Sequence, residues 1–211
     1  MPFSSVLGAS SVIKPGVCTS ATRPSVPYGG QLIYETDSNR LLVWDGLAWK
    51  TLAYSGYTSG SVLQVVSTTK TDTQTLTTAT YTDITGLSVS ITPTSTSSKV
   101  FITSNITAYA QTGNTQGFIR LVRGSTAIAV GDAAGSRVQA TAPVSFTNAY
   151  QSLSTGLSFM DSPSTTSSTT YKLQLRDEVG YPVWINRSQN DTDSYAGGRF
   201  ISTITAMEIA G

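Results

Sequence analysis

From Val62 onward the apolar residues recur with a period of two. Leu87, Val89 and Ile91 are separated by Ser88 and Ser90, and Tyr171, Leu173 and Leu175 alternate with polar neighbours. Val100, Ile102, Ile106 and Ala108 share one parity of a longer run, with Phe101 and Tyr109 on the other. Such a period places every second side chain on one face of an extended strand, so these runs predict half-buried β-strands. Phe118–Val122, Val144–Phe146, Leu153–Phe159 and Val183–Ile185 are shorter runs of the same kind, and Val62–Val66 is apolar enough to predict burial. Pro93–Ser98, Arg123–Ser125 and Asp161–Ser168 are turn and loop compositions between them. In the last run Ile201, Thr203, Thr205, Met207 and Ile209 face one way and Ser202, Ile204 and Ala206 the other. A strand apolar on both faces belongs in the middle of a sheet. About nine or ten strands with frequent turns, and almost no helical periodicity, predict an all-β fold: an antiparallel β-sandwich over 62–211, with the central last strand of a jelly roll.

Composition removes whole classes of chemistry. The chain has 211 residues, 12% charged, with a formal net charge of +1, so it lacks the basic field of a nucleic-acid binder. Ser and Thr make up about 30% of it, well above ordinary usage, and Thr suits pleated surfaces. With no His, the common Ser-His and Cys-His activations have no base and zinc loses its usual nitrogen ligand. The single cysteine, Cys18, has no intrachain partner and reads as a small turn or interface residue. Met1–Ile13 lacks the basic start and apolar core of a signal peptide, and no apolar run approaches the roughly 20 residues of a membrane span. We therefore expect no enzyme activity, cofactor, metal or membrane insertion, and synthesis in a cytoplasm.

The N-terminal quarter reads differently. Up to Gly30, with Pro2, Pro15, Pro24 and Pro27, there is no regular period, which predicts an extended arm ordered by a partner. Leu32–Tyr34 and Leu41–Trp44 are short strand runs around the turn composition of Glu35–Asn39, and Asp45-Gly46 marks a second turn before Trp49. A short hairpin with two tryptophans is too small for a core of its own. Burial of Tyr34, Trp44 and Trp49 must then come from identical copies or a docking surface, with Arg23, Arg40 and Lys50 placed to meet acidic groups there. Residues 1–58 form this anchor, joined to the head by a linker over Ala53–Ser61.

Three blocks of the anchor carry a resemblance: Val17–Pro24, Tyr28–Asp37 and Arg40–Trp49. Together they resemble a segment of bacteriophage virion proteins that joins tail fibres and capsid-surface fibres to their folded ends. In the head, Ile91-Thr92-Pro93, Ser97–Val100, Val122-Arg123-Gly124, Ser168–Tyr171, Asn186-Arg187 and Ile204–Ile209 resemble phage fibre-tip and decoration domains. The resemblance implies a trimeric jelly roll of the tumour-necrosis-factor type on a virion surface. Its partners would be two further copies and the major capsid or tail proteins. The implied role is capsid decoration as a short projection, since no heptad run or long shaft separates anchor from head. The alternative is a tail-fibre receptor-binding protein that recognises host surface glycan.

Few residues could carry chemistry. Asp161, Asp177, Glu178, Asp191 and Asp193 offer carboxylates, but Asp177 and Glu178 are adjacent and point to opposite faces of a strand, and we read them as a solvated loop edge. Asn190–Asp193 supplies oxygen ligands without the spaced set of a calcium loop. Tyr181, Trp184, Asn186 and Tyr195 combine aromatic faces with an amide, as saccharide contact requires; Trp184 equally suits the core or a subunit interface.

Overall fold

The computed structural model describes residues 15–54, 58–110, 115–146, 151–189, 191–195 and 197–211. Two compact units divide the chain, Met1–Tyr57 and Thr58–Gly211.

The first unit is a four-stranded sheet in chain order: β1 (Gly16–Cys18), β2 (Leu32–Glu35), β3 (Arg40–Trp44) and β4 (Trp49–Tyr54). The arm is thus more regular than its sequence predicts, because β1 pairs in parallel with β2. Side chains hold it there: both carboxylate oxygens of Asp37 accept the Ser20 backbone N–H at 2.9 and 3.0 Å, and Thr36 N–H donates to the Cys18 carbonyl at 2.9 Å. Pairing without a hairpin leaves no periodic signal. The β3–β4 turn closes on Asp45, whose Oδ1 accepts the N–H groups of Leu47 and Ala48, with Gly46 at a φ of 102° that favours glycine. β4 runs on to Tyr54, into residues expected to be linker.

The second unit holds eleven strands: β5 (Val62–Lys70), β6 (Gln74–Thr77), β7 (Thr82–Ile91), β8 (Lys99–Ala110), β9 (Thr115–Arg123), β10 (Thr126–Ile128), β11 (Ala142–Phe146), β12 (Gln151–Asp161), β13 (Thr169–Asp177), β14 (Pro182–Ile185) and β15 (Ser202–Ile209). All their pairings are antiparallel. β12 occupies one edge of β8 throughout. The other edge is shared by β15, along 99–105, and β14, along 108–110, and these pair in turn with β5 and β6. The facing sheet runs β10-β9-β13-β7, with β11 also on β9. The chain crosses between sheets from β6 to β7, β7 to β8, β8 to β9, β11 to β12, β12 to β13 and β13 to β14, the path of a jelly roll. As its two-sided apolar pattern predicts, β15 lies inside its sheet.

Between the sheets, the predicted alternation becomes the core. Val100, Ile102, Ile106, Ala108, Ile204 and Ala206 face Ile84, Leu87, Val89, Ile91, Ile119, Leu121, Leu173 and Leu175. Ile84 and Leu87 have opposite parity yet are both buried; a bulge at Gly86, where φ is 78°, resets the register between them. Val62–Val66 departs from expectation. Val62 and Val65 are 54% and 56% exposed, because β5 is an edge strand and only alternate positions face inward.

Buried polar groups are tied in. Tyr171 donates its hydroxyl to Asp161 at 2.6 Å, and Arg123 Nη1 donates to both oxygens of that carboxylate; burial first, and this hydrogen bond second, push the phenol's pKa up. Asp177 is not a solvated loop edge: it is fully buried. One oxygen accepts the N–H groups of Val179, Gly180 and Tyr181, and the other the Thr115 hydroxyl, so it builds the turn into β14.

β14 and β15 lie along one line, interrupted by residues 186–201, and β5 and β6 are interrupted beside them at 71–73. Asn186 bridges both breaks. Its Nδ2 donates to the carbonyls of Lys70 (2.8 Å) and Asp72 (3.1 Å), and its Oδ1 accepts the Ser202 hydroxyl at 2.6 Å. Removing this amide leaves buried carbonyls unpaired at a cost on the order of 3 kcal/mol. Asn186→Ala should lower the denaturation midpoint accordingly, while Thr192→Ala, at an exposed position of the loop between the two strands, stays near wild type in the same urea titration.

Glu208, the acid of β15, is also buried. Burial raises its pKa, but Gln64 Nε2 at 2.6 Å and the backbone N–H and hydroxyl of Thr94 at 2.6 and 2.7 Å outweigh burial and hold it below 4.5. A carboxyl more acidic when folded stabilises fully above its unfolded pKa and loses that contribution as pH falls through the folded value. Wild-type stability should therefore drop below about pH 4.5, and Glu208→Gln should flatten that drop in acid-titrated thermal unfolding.

Candidate functional site: the outer face of the six-stranded sheet

The residues that point away from the core on β5, β15, β8 and β12 form cross-strand rows. One row is Val65, Met207, Phe101 and Met160; the next is Ser67, Thr205, Thr103 and Ser158; the third is Thr69, Thr203, Asn105 and Gly156. Thr107 with Ser154, and Tyr109 with Ser152, extend the rows on β8 and β12. None of these positions carries a charged side chain. The apolar row is open at both ends, with Val65 56% and Met160 45% exposed. The hydroxyl rows satisfy one another within the sheet: Ser67 and Thr205 hydroxyls lie 2.8 Å apart, and Ser154 donates to Asn105 Oδ1 at 2.7 Å. At Gly156 the missing side chain leaves a shallow depression beside Thr103 and Ser158.

The facing sheet's outer surface has the opposite character. Asp83, Arg120, Lys172 and Arg176 all project there, with Lys172 Nζ 2.7 Å from Asp83 and Gln174 joining Asp83 to Arg120. One face of the sandwich is thus suited to water and the other to burial. The signal was present in the chain as the scarcity of charge at the outward parity of four strands, where Lys99 at the start of β8 is the exception, but it becomes visible only once register assigns the parity.

In the first unit, Trp44 and Trp49 are a cross-strand pair with ring centroids 5.5 Å apart in an edge-to-face arrangement. Both are half-buried. Tyr34 is half-buried on β2, its hydroxyl bonded to Asn39 Oδ1. Arg23 is engaged within the unit: its Nε donates to buried Glu35 at 2.6 Å, and that hydrogen bond first, with one from Ser38, holds the Glu35 carboxyl below its ordinary pKa. Arg40 sits directly across the strand pair from the same Glu35, and Lys50 lies 3.7 Å from Asp45. Arg23 is therefore a structural residue of the anchor. Val17, Val26, Tyr28, Leu47 and Leu52 are the large apolar side chains this unit exposes.

The four residues read as saccharide contacts do not share a surface. Asn186 is wholly buried, for the reason given above. Trp184 is 8% exposed, packed on Tyr109 at 5.8 Å with the Arg187 guanidinium 5.5 Å over its ring. Tyr181 and Tyr195 are exposed. Tyr195 adjoins a polar cleft of about 330 Å³ lined by Asp191–Ser194 and Gly197–Arg199, in which Arg199 pairs with Asp191 at 2.5 Å. Asn190, of the loop weighed for calcium, lies outside the described residues. Asp161, Asp177 and Asp191 each have the separate partners named here.

No protein-family model and no curated protein sequence matches the chain. Among solved structures, the Gx strain of infectious bursal disease virus overlaps it at 12% identity and a TM-score of 0.39, over 79% of this chain and 42% of that one. The VP2 subviral particle of infectious bursal disease virus overlaps at 13% identity and a TM-score of 0.34, over 90% and 46%. The chain thus spans less than half the length of either.

Proposed function

We propose that the protein is a structural component of a tailed bacteriophage particle: a homotrimer that decorates the capsid as a short surface projection, anchored through residues 1–58 and presenting 62–211 outward. The observation that carries this reading is the outer face of β5, β15, β8 and β12, whose central cross-strand rows carry no charge, with Lys99 at the margin of the face where β8 begins. Packing those central rows of three copies around a common axis buries hydroxyls and an apolar row, with no ion to desolvate among them, and leaves the charged faces toward solvent. The anchor fits the same scheme. Among its described residues the buried large apolar ones are Ile33 and Leu42, few for an isolated small sheet, which supports a scheme in which its exposed valines, leucines and tryptophan pair are served by copies and by the capsid surface. The resemblance of the anchor and head motifs to phage fibre and decoration proteins agrees with this role. A tail-fibre receptor-binding role is the second reading, favoured by the polar cleft beside Tyr195.

Sedimentation tests the assembly: the full-length protein should run as a trimer at micromolar concentration. Thr205→Lys should yield a folded monomer, because the lysine solvates on an outward position but cannot be buried against a second copy. A monomeric wild type overturns the trimer.

Deletion tests the division of labour. Residues 58–211 alone should unfold cooperatively yet fail to rebind particles stripped of the native protein, whereas full-length protein rebinds. Gold-labelled full-length protein should appear over the capsid shell; label confined to the tail selects the second reading.

A further inference from the structure

The outer face of the second sheet holds a cluster that the assembly scheme leaves unused. Tyr81 lies at the entry to β7, and its hydroxyl donates to the Gln139 carbonyl at 2.7 Å, which fixes the ring. The Arg120 guanidinium stacks 4.0 Å from the centroid of that ring, and the Arg176 guanidinium lies 6.0 Å from it. Burial pushes the Tyr81 phenol's pKa up against the opposing pull of the two arginines, so it stays protonated and keeps its hydrogen bond. Phe118 is the cross-strand neighbour of Arg176, and Pro143 the neighbour of Phe118 on β11.

Two guanidinium groups around one ring call for an anion. Among the described residues neither forms an ion pair. Asp83 is taken by Lys172 and Gln174, and Glu178 meets Arg176 only through its backbone carbonyl at 3.4 Å. Arg120 spends its Nε on Gln174 Oε1 at 2.7 Å, which orients the guanidinium and leaves its terminal nitrogens to a ligand. Tyr81, Phe118, Arg120 and Arg176 are all half-buried, so the groups are both held and reachable.

We infer that Tyr81, Phe118, Arg120 and Arg176 form a binding site for an acidic saccharide, a polymer of sugar acids whose carboxylate pairs with the two guanidinium groups. A planar carboxylate matches the guanidinium fork, and the C–H face of a pyranose suits the apolar surface of Phe118 and Pro143 beside it. The site lies on the face opposite the proposed trimer contact and does not depend on that contact.

The probe is an oligogalacturonate, titrated into the full-length protein by calorimetry at roughly 0.1 M salt, where exposed long-range attraction is largely screened. We expect binding to wild type, none to a neutral dextran of equal length, and weaker binding to polyglutamate. Arg120→Gln/Arg176→Gln should weaken oligogalacturonate at least about tenfold, since each guanidinium makes a charge-assisted contact. Arg176→Gln alone, which leaves the Arg120–Gln174 bond intact, should weaken it about threefold with unchanged thermal unfolding. If the double variant is unfolded, the single variant decides. No oligogalacturonate binding, binding unaffected by the arginine substitutions, or equal affinity for polyglutamate overturns the assignment.

Discussion

The head depends on how its sheet survives two interrupted strands. Where β14 stops and β15 has not begun, Thr107 on β8 would lose its backbone partners, and so would the carbonyls of Lys70 and Asp72 on the adjacent edge. Buried backbone groups without partners are expensive. Asn186 N–H donates to the Thr107 carbonyl at 3.0 Å, and the Ser202 hydroxyl accepts Thr107 N–H at 3.1 Å. The Asn186 backbone and the Ser202 hydroxyl thus replace the missing rungs at Thr107, and the Asn186 side-chain amide serves the Lys70 and Asp72 carbonyls. Asn186 adopts a φ of 61° to do so, a left-handed conformation that asparagine tolerates better than most residues. Because the break is sealed from within, residues 187–199 can leave the sheet as a loop and return, with Phe200 N–H bonded to the Asn186 carbonyl at 3.0 Å.

Sealing the break also keeps β8 paired along both edges, and β8 organises both sides of its sheet. Its inward residues meet the core, and beyond Lys99 its outward residues Phe101, Thr103, Asn105, Thr107 and Tyr109 form the spine of the uncharged rows. The contrast between the two outer faces follows from residue choice alone, since both sheets have the same pleat and similar strand lengths. Lys172, Arg120 and Arg176 occupy outward positions on β13 and β9, where hydration of the charges costs nothing.

Legibility of the sequence followed the physics of alternation. β8, β13 and β15 were readable because one parity of each meets a hydrophobic core, and the central place of β15 followed from its two apolar faces. Val62–Val66 misled because four apolar residues in five fit an edge strand with alternate side chains facing outward as well as a buried one. Asp177 and Asn186 misled more deeply. A polar residue at a turn ordinarily implies solvent, and only three-dimensional closure shows that Asp177 accepts three consecutive N–H groups or that Asn186 reaches Lys70. In the anchor, the runs ending at Tyr34 and Trp44 were legible as strands; β4 was marked only by the turn before Trp49, and β1 was hidden because its parallel partner lies across the 3-10 turn Ser20–Thr22 and a further stretch without regular structure.

The anchor and the head solve stability in different ways. The head encloses a full two-layer core and satisfies its buried acids internally, through Arg123, Gln64, Thr94 and Thr115. In the anchor the apolar pair Ile33 and Leu42, directly opposite each other on β2 and β3, is supplemented by polar ties: Asp37 to Ser20, Glu35 to Arg23 and Ser38, Asp45 to its own turn. Hydrogen bonds of this kind define a conformation more than they stabilise it, each contributing about 1 kcal/mol net, and an edge-to-face tryptophan pair adds about as much again. A small sheet specified by polar contacts but short of buried area has a defined shape and an unmet demand for apolar contact. That combination fixes the sheet through directional contacts, while the described apolar side chains Val17, Val26, Tyr28, Leu47 and Leu52 stay exposed on it.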